Sequence, residues 1–419
     1  MKRKRVLPQG WKEVVIGEEF KTGSGGTPLS TRKDYYDGGT IPWINSGELN
    51  ENYIDKTENF ITELGLKNSS AKIFPKGTVL VAMYGATAGK TSLLNFDACT
   101  NQAICAILEN PKFSSLFLKY NLENLYDYLV NTSTGSARDN LSQEGIAELS
   151  LYFPEGRKLQ EKLIKVLHIT DQKIALNTRI NAELEATAKQ LYDYWFVQFD
   201  FPDENGKPYK SSGGKMIYNP SLKREIPAGW NVSTYGKEFD VKLGGTPSTS
   251  DESFWENGTI NWLNSGEVQN FPINTSEKKI SEDAIKRSST EFLPKGSVLI
   301  SITRYLRVTI LNIDACINQS VAGFAETDLY KYPYTYFALS AEVPRLMKLR
   351  TGAQQPHINK EIIEECPLLL PSKEILTNYY SVINPIFKNL ITYSEEIEEL
   401  THLRDSLLPM LMNGQVTVE

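Results

Sequence analysis

The sequence lacks the features of a membrane-spanning or secreted protein. Over 419 residues, no apolar run reaches the roughly 18–20 residues that a helix needs to cross a bilayer. The basic start, Met1 to Arg5, is not followed by the apolar stretch of a secretory signal. Only four cysteines occur, none in a CxxC or Cys/His metal-ligand pattern. We therefore expect a reduced, cytoplasmic protein without a metal site, in which Cys99 and Cys316 are small buried hydrophobes in strands.

Catalytic motifs are also scarce. The three histidines are scattered and indicate no His-based triad. The segment Tyr84 to Thr91 resembles a phosphate-binding loop, but that motif requires a glycine where Tyr84 stands, so a tight turn between strands is the better interpretation. Asn384 to Phe387 lacks the second proline of the amino-methyltransferase tetrapeptide Asn-Pro-Pro-[Tyr/Phe], and no glycine-rich loop suits S-adenosylmethionine. The sequence therefore indicates no enzyme and no catalytic residue.

An excess of positive charge is missing too, since the formal net charge is −6. A free-standing nucleic-acid binder is usually basic, because neutralising phosphates supplies most of its affinity. The charge balance argues weakly against a solitary DNA-binding protein. It leaves room for basic patches, or for a partner that supplies the remaining positive charge.

What the sequence does contain is a long internal repeat. The first three repeated pieces return 219 residues later, and the last returns after 217. The pieces are Gly25-Gly26-Thr27-Pro28 with Gly244-Gly245-Thr246-Pro247, Trp43 to Glu48 with Trp262 to Glu267, Pro75-Lys76-Gly77 with Pro294-Lys295-Gly296, and Asn101-Gln102 with Asn318-Gln319. Solenoid units are only tens of residues long, so this repeat indicates a duplicated domain.

Each copy is predicted to be a mixed α/β domain. Short runs rich in β-branched residues, such as 78–83 and its counterpart 297–302, alternate with Gly, Pro and Asn, which is typical of strands and turns. Helical stretches are expected at 116–130 and 334–349.

A long helix is predicted after each copy. Apolar residues recur at three- and four-residue steps from about Arg157 to Phe199 and from about Lys373 to Met412. Because neither helix could bury its stripe alone, we expect them to pair antiparallel, with one globular domain at each end and approximate two-fold symmetry. Asn177 falls on the seam, where a polar residue can fix register. Pro385 is expected to kink or start the second helix.

The expected fold class is thus α/β (α+β), with two homologous globular domains separated by two long antiparallel helices. The predicted segments are a first globular domain at 1–154, a central long helix at 155–200, a polar linker at 201–225, a second globular domain at 226–371 and a C-terminal long helix at 372–414.

Residues that are equal in both copies are interpreted mainly as scaffold, since Gly-Gly and Asn-Ser-Gly-Glu suit turns and caps. If the two copies read different things, the differing polar residues beside these anchors should do the reading. The differing positions are Arg32 and Lys33 against Asp251 and Glu252, 84–90 against 304–307, and 136–140 against 353–357.

In this order, the duplicated anchors resemble the specificity subunit of a type I restriction–modification system. The resemblance covers essentially the whole chain; no single piece is specific, but the ordered, duplicated set is. Besides the repeated pieces given above, this set of motifs includes Gly-Trp at 10–11 and 229–230, Thr-Gly at 134–135 and 351–352, Leu191 to Phe196, Leu403 to Pro409, and Gly414.

The resemblance implies that each globular half is a target recognition domain that reads one half of an asymmetric, two-part DNA target. It also implies that the helices set the unread gap and dock two methyltransferase subunits, which bring S-adenosylmethionine and methylate adenine. Separate restriction and translocase subunits would use ATP with magnesium. The chain itself would then be non-catalytic and would hold no cofactor.

DNA contacts follow from the same reasoning. Polar side chains read base edges, whereas Lys, Arg and backbone groups position the phosphates. The predicted contacts are Arg32, Lys33, Tyr84, Lys90 and Arg138 in the first half, and Arg304, Tyr305, Arg307, Gln354 and His357 in the second. The competing interpretation of each is an ordinary exposed side chain.

Three alternatives stay open at this point. One is a stand-alone two-site DNA-binding protein such as a repressor, which would need no partner. Another is a P-loop or methyltransferase enzyme, against which the incomplete motifs argue. The third is a specificity subunit whose partners have been lost, or which serves the recombination of target domains.

Overall fold

The computed structural model describes residues 8–134, 141–303, 305–350 and 357–416. It forms two compact units. Unit 1 comprises Met1–Lys173 with Leu400–Glu419, and unit 2 comprises Ile174–Glu399. Each unit therefore holds one copy of the repeat together with a part of each long helix.

Unit 1 contains eleven strands in its described residues, at the following positions. They are β1 (Trp11–Val15), β2 (Thr22–Ser24), β3 (Ile41–Ile44), β4 (Tyr53–Ile54), β5 (Phe60–Ile61), β6 (Ile73–Phe74), β7 (Val79–Ala82), β8 (Thr91–Leu94), β9 (Ala98–Thr100), β10 (Ile104–Ile107) and β11 (Ser150–Pro154). The helices that begin here are α1 (Ile16–Glu19), α2 (Glu63–Lys67), α3 (Ser115–Glu123), α4 (Tyr126–Thr134), α5 (Gln143–Ala147) and α6 (Arg157–Tyr192), which continues into unit 2.

Unit 2 repeats this plan. Its strands are β12 (Met216–Asn219), β13 (Arg224–Pro227), β14 (Asn231–Thr234), β15 (Lys242–Leu243), β16 (Ile260–Leu263), β17 (Lys278–Ile280), β18 (Glu291–Leu293), β19 (Val298–Ser301), β20 (Val308–Ile310), β21 (Ala315–Ile317), β22 (Val321–Phe324) and β23 (Pro367–Leu370). Its helices are α7 (Tyr235–Glu238), α8 (Glu282–Arg287), α9 (Tyr332–Lys348), α10 (Lys360–Glu364) and α11 (Lys373–Met412), whose last residues belong to unit 1.

Sheet order confirms the duplication. Unit 1 has the sheets β2-β10-β7-β8-β4 and β5-β3-β9-β6, and unit 2 has β15-β22-β19-β20 and β17-β16-β21-β18. In each unit the tryptophan strand lies parallel to the cysteine strand, pairing Trp43 with Cys99 and Trp262 with Cys316. Both cysteines are buried, as the sequence predicted. Burial raises the pKa of each thiol to about 11.

The central strands carry the core because both of their faces are apolar. In β7, Val79 and Val81 pack with the helices of unit 1, whereas Leu80 and Ala82 pack towards the cluster around Ile44. All four side chains are fully buried. A strand buried on both faces reads as a continuous apolar run, and this is the pattern that the sequence shows.

The long helices lie antiparallel within unit 2. Asn177 of α6 donates from Nδ2 to Glu396 Oε2 at 2.8 Å, and just beyond the C-terminal end of α6 the ring of Trp195 lies 5.6 Å from that of Tyr379. The residue number of the contacted side chain on α11 falls from 396 to 379 as the number along α6 and the residues just beyond it rises from 177 to 195. The two helices therefore run in opposite directions. In unit 1, Leu163, Ile164 and Leu167 share a core cluster with the C-terminal residues of α11. The predicted place of Asn177 on the seam is confirmed, since its side chain is fully buried.

Three local predictions need correction. The stretch expected at 116–130 is two helices, α3 and α4, which are separated at Asn124 and Leu125. Of the two alternatives for Pro385, a start of the second long helix is wrong, since α11 begins at Lys373 and includes it, whereas a kink there stays a prediction. The segment expected at 334–349 begins two residues earlier, with Pro333 in the first turn of α9, where its missing N–H leaves no hydrogen bond unmade.

Part of the predicted linker 201–225 packs into the core of unit 2, to which it belongs. Phe201 stacks between Trp230 and Tyr209, with ring centroids 5.1 and 4.8 Å away. These aromatics join the main core of the unit. Although this stretch is polar in composition, its aromatic residue Phe201 is therefore held in the core of unit 2.

Candidate nucleic-acid interface

The Gly-Gly-Thr-Pro loop is fixed in both units by close backbone contact. A Cβ on Gly25 would lie 1.9 Å from the Thr100 carbonyl oxygen, and one on Gly244 would lie 1.9 Å from that of Ile317. The next glycine donates its N–H to the same oxygen, at 2.9 Å for Gly26 and 3.0 Å for Gly245. Only glycine fits at this approach.

The Trp-x-Asn-Ser-Gly-Glu piece closes onto this loop. Trp43 Nε1 donates to the Gly26 carbonyl at 3.0 Å, and Trp262 Nε1 donates to that of Gly245 at 3.1 Å. In the first copy Asn45 caps a short 3-10 turn, Ser46–Glu48, and its N–H donates to Glu48 Oε1 at 2.9 Å. These contacts hold the loop and the turn together.

The Asn-Gln pair forms the next turn, again in the same way in both units. Asn101 Oδ1 accepts from Ala103 N at 3.1 Å, and Asn318 Oδ1 accepts from Ser320 N at 3.0 Å. The following glutamine reaches across to the first loop. The hydroxyl of Thr27 donates to Gln102 Oε1 at 2.7 Å, and that of Thr246 donates to Gln319 Oε1 at 2.5 Å.

In unit 1, the predicted tight turn at Tyr84–Lys90 connects the antiparallel strands β7 and β8. Gly85 and Gly89 have φ values of +89° and +81°, which favour glycine. A phosphate-binding loop joins a strand to a helix, so this geometry excludes it. The hydroxyl of Thr87 donates to the Ser46 carbonyl at 2.7 Å and so connects this turn to the 3-10 turn Ser46–Glu48.

Tyr84 and Lys90 are both presented by this turn. The side chain of Tyr84 is 47% exposed. Lys90 Nζ lies 3.3 Å from Asn50 Oδ1 at the surface. The structure thus places one aromatic and one cationic residue of the prediction in a single surface turn.

The equivalent turn of unit 2 brings three predicted residues together. Tyr305 is 69% exposed, and its carbonyl accepts from the Ser301 hydroxyl at 2.7 Å. Arg307 lies 3.2 Å from Gln269 Oε1. His357 pairs with Thr303 in an antiparallel bridge, and Ile358 N donates to the Ile302 carbonyl at 3.0 Å. Residues far apart in sequence therefore share one edge.

Arg32 and Lys33 lie on the segment that follows the Gly-Gly-Thr-Pro loop of unit 1. Tyr36 of this segment donates its hydroxyl to the Pro28 carbonyl at 2.5 Å. Arg32 pairs with Asp34 at 2.7 Å and lies over the Tyr35 ring at 4.8 Å. Its hydrogen bond lowers the pKa of the Asp34 carboxyl. The second copy has Asp251 and Glu252 here, at the start of the 3-10 turn Glu252–Phe254.

Three predicted contacts, Arg138, Arg304 and Gln354, fall outside the described residues. Sequence reasoning missed the exposed Thr–Gln pair, because it interpreted the equal residues mainly as scaffold. The Asn-Gln repeat was the available signal, but only the structure shows that the asparagine side chain forms the turn whereas the glutamine side chain is exposed.

The described ranges contain no cluster of three or more His, Cys, Asp or Glu side chains that could hold a metal ion. They also contain no helix that is both long and apolar enough to span a membrane. In each unit they present the Gly-Gly-Thr-Pro loop, the Trp-x-Asn-Ser-Gly-Glu piece and the Asn-Gln turn side by side. Next to these lies a turn whose sequence differs between the two units.

Comparisons with known proteins agree with this arrangement. The family model described as type I restriction modification DNA specificity domain matches residues 8–186 and 227–402. The MjaIX specificity subunit of a type I restriction enzyme from Methanocaldococcus jannaschii is 27% identical over 423 residues, which cover 99% of this chain and 95% of the relative. The HindI specificity subunit from Haemophilus influenzae is 22% identical, with coverage of 97% and 99%.

A solved structure has the same fold. The crystal structure of a type I restriction–modification S subunit from M. genitalium is 16% identical to this chain and superposes with a TM-score of 0.59. The match covers 98% of this chain and 99% of the other.

Proposed function

We propose a mode of action from one premise: the chain belongs to the type I restriction modification DNA specificity family. It is accordingly the specificity subunit of a type I restriction–modification system, with two target recognition domains. In our proposal, each domain reads one half of an asymmetric, two-part DNA target. The first domain lies within 1–154 and the second within 226–371.

The observation that carries this proposal is that the two units have the same loop contacts but different turns beside them. The loop, cap and Asn-Gln contacts repeat almost atom for atom. The turns beside them differ, with Tyr84 and Lys90 in one and Tyr305 and Arg307 in the other. A reader of two unrelated half-sites needs a constant frame and variable contacts, because the base edges to be read differ.

Roles for the predicted residues follow from their chemistry. Arg307 suits a bidentate contact to guanine, and Lys90 and Lys33 suit phosphates. Tyr84, Tyr305 and His357 supply exposed rings with polar atoms at the same edges. Arg32 would have to leave Asp34, which costs little because an exposed ion pair is weak. Arg138, Arg304 and Gln354 are proposed from the sequence alone.

The long helices are proposed to set the gap between the half-sites and to dock two methyltransferase subunits. Apolar side chains on α6 support a docking role. Leu159, Val166 and Ile169 are 41%, 37% and 52% exposed, and exposed apolar stripes favour partners. Restriction and translocase subunits would join through that complex. The chain would be non-catalytic, with S-adenosylmethionine, ATP and magnesium held by the partners.

The test is co-expression with the methyltransferase subunit of the same system, followed by base-resolution mapping of N6-methyladenine. We expect methylation at a new motif that disappears when this chain is omitted. Methylation that is identical with and without the chain would contradict the proposal. Specific DNA binding by the isolated chain, together with no methylation from a stable complex, would favour the stand-alone DNA-binding protein.

A further inference from the structure

We propose that Gln102 and Gln319 are sequence-independent contacts to the DNA backbone, each held in place by the threonine of the neighbouring Gly-Gly-Thr-Pro loop. This inference rests on the proposed DNA-reading function. It adds a positioning contact that is the same in both domains, beside the turns that differ.

Exposure separates this pair from its neighbours in the Gly-Gly-Thr-Pro loop. Gly25, Gly26 and Pro28 are buried, and so are Gly244, Gly245 and Pro247. Thr27, Thr246 and both glutamines are exposed. Packing explains why the buried residues are equal in the two copies. It does not explain an equal pair on the surface, where a neighbouring site has changed from Arg32 to Asp251.

The amides are oriented by their threonines. Each threonine hydroxyl donates to the glutamine Oε1, at 2.7 Å in the first copy and 2.5 Å in the second. This bond occupies the oxygen and leaves the amide N–H groups as the donors available to a ligand. Among the described residues, no acceptor is found for either Nε2 atom.

The glutamine turn is joined directly to the reading turn. Met83, which precedes Tyr84, donates its N–H to the Ala103 carbonyl at 2.8 Å. In the second copy, Ile302 donates to the Ser320 carbonyl at 2.9 Å. The residue after each glutamine therefore accepts a hydrogen bond from the residue that leads into the differing turn, so the two turns are direct neighbours.

A contact that is equal in both domains cannot distinguish two different half-sites. It suits a feature that both half-sites share, and the sugar–phosphate backbone is such a feature. Neutral amide donors bind phosphate oxygens without adding charge. Loss of one should weaken binding at every salt concentration alike, because the salt dependence comes from cationic contacts.

The experiment uses the full chain in complex with its methyltransferase subunit. Binding is measured to a duplex with the mapped motif and to one with both half-sites scrambled, over a range of salt. We expect Gln102→Ala and Gln319→Ala each to weaken both duplexes about three- to tenfold, the effect of one neutral hydrogen bond, with an unchanged salt slope. The methylated motif should stay the same.

Two further variants isolate the positioning role. Thr27→Val removes the hydroxyl and should weaken binding in the same sense, whereas Thr27→Ser keeps the hydroxyl and should bind like wild type. Gln9→Ala, at an exposed glutamine outside this edge, is the matched control and should leave binding unchanged. Thermal unfolding of each variant excludes loss of fold as the cause.

The outcomes are distinguishable. Wild-type binding and methylation, combined with Gln102→Ala and Gln319→Ala variants that bind like wild type, would overturn this inference alone. A change in the recognised bases would overturn it too, because the glutamines would then be base readers. Failure of the wild-type complex to bind or methylate would instead contradict the proposed function.

Discussion

At the residue scale, the two glycine pairs explain why one part of the repeat is fixed. Gly25 and Gly244 stand against carbonyl oxygens that also accept the next N–H of the loop. A side chain here would push apart the strands that frame the candidate interface. The repeat therefore preserves the backbone path at these positions.

This contact predicts the effect of a single methyl group. Gly25→Ala should lower the free energy of unfolding of unit 1 by about 2 kcal/mol or more, because its Cβ would meet the Thr100 oxygen. Urea unfolding measures the change. In Gly145→Ala the nearest described atom is 3.5 Å away, so this control should stay within about 1 kcal/mol of wild type. Equal losses in both variants would contradict the account.

The buried thiols predict a pH dependence. The pKa of Cys99 and Cys316 is raised from 9.0 to about 11 by burial. Below pH 9 both states hold the proton. Between pH 9 and 11 only the unfolded state loses it, so the free energy of unfolding falls as pH rises, by about 1 kcal/mol per thiol at pH 10.

Urea unfolding at pH 8 and pH 10 measures this fall. The double variant Cys99→Ala/Cys316→Ala is the comparison, and only the difference between its two pH values matters. A fall as large as in wild type would show that the thiols do not contribute.

Which residues are buried could be predicted from the sequence, since apolar runs and repeated glycines indicate packing. The roles of the exposed polar residues could not be predicted. The sequence gives no reason to separate Gln102 from Asn101, yet one side chain builds the turn and the other stands on the surface. Which polar groups face outwards depends on contacts such as Thr27 with Gln102, across 75 residues of chain.

At the scale of elements, the long helices follow the sequence most closely. Their apolar steps are local, so the period of the helix is visible in the sequence. The break between α3 and α4 was not visible, because the apolar pattern runs through it. The bridge between Thr303 and His357 was also hidden, since it depends on the pairing of distant segments.

The helix seam predicts a loss on removing its buried amide. Asn177→Leu takes a donor from Glu396 and should destabilise unit 2 by about 1–3 kcal/mol. The double variant Asn177→Leu/Glu396→Leu should recover part of that loss, because an apolar pair suits the seam. Gln172→Leu, at an exposed position of α6, is the control. A single variant as stable as wild type in urea unfolding would be the contrary result.

The turn of unit 2 predicts a change confined to one half-site. Arg307→Ala should relax the bases recognised in one half of the motif by about 1–3 kcal/mol at the affected position and leave the other half intact. Mapping of N6-methyladenine provides the readout. Lys90→Ala, in the other domain, should weaken binding and lower the salt slope by about one without relaxing sequence preference. Relaxation in both halves by Arg307→Ala would count against separate reading domains.

At the scale of the whole molecule, the charge balance and the duplication favour a shared task. A net charge of −6 is unusual for a protein that binds DNA alone. In our proposal, positive surface on the methyltransferase partners supplies the remaining attraction to DNA. The duplication supplies two frames on one chain, and the varied turns give each frame different side chains to present.

The most direct measurement is the form of the methylated motif in cells that express this chain with its methyltransferase subunit. The account predicts two unrelated half-sites separated by a gap of fixed length. The frames are equal, but Tyr84 and Lys90 differ from Tyr305, Arg307 and His357 in the chemistry that they present. A palindromic motif, or a single half-site without a gap, would contradict the claim that the two domains read different sequences.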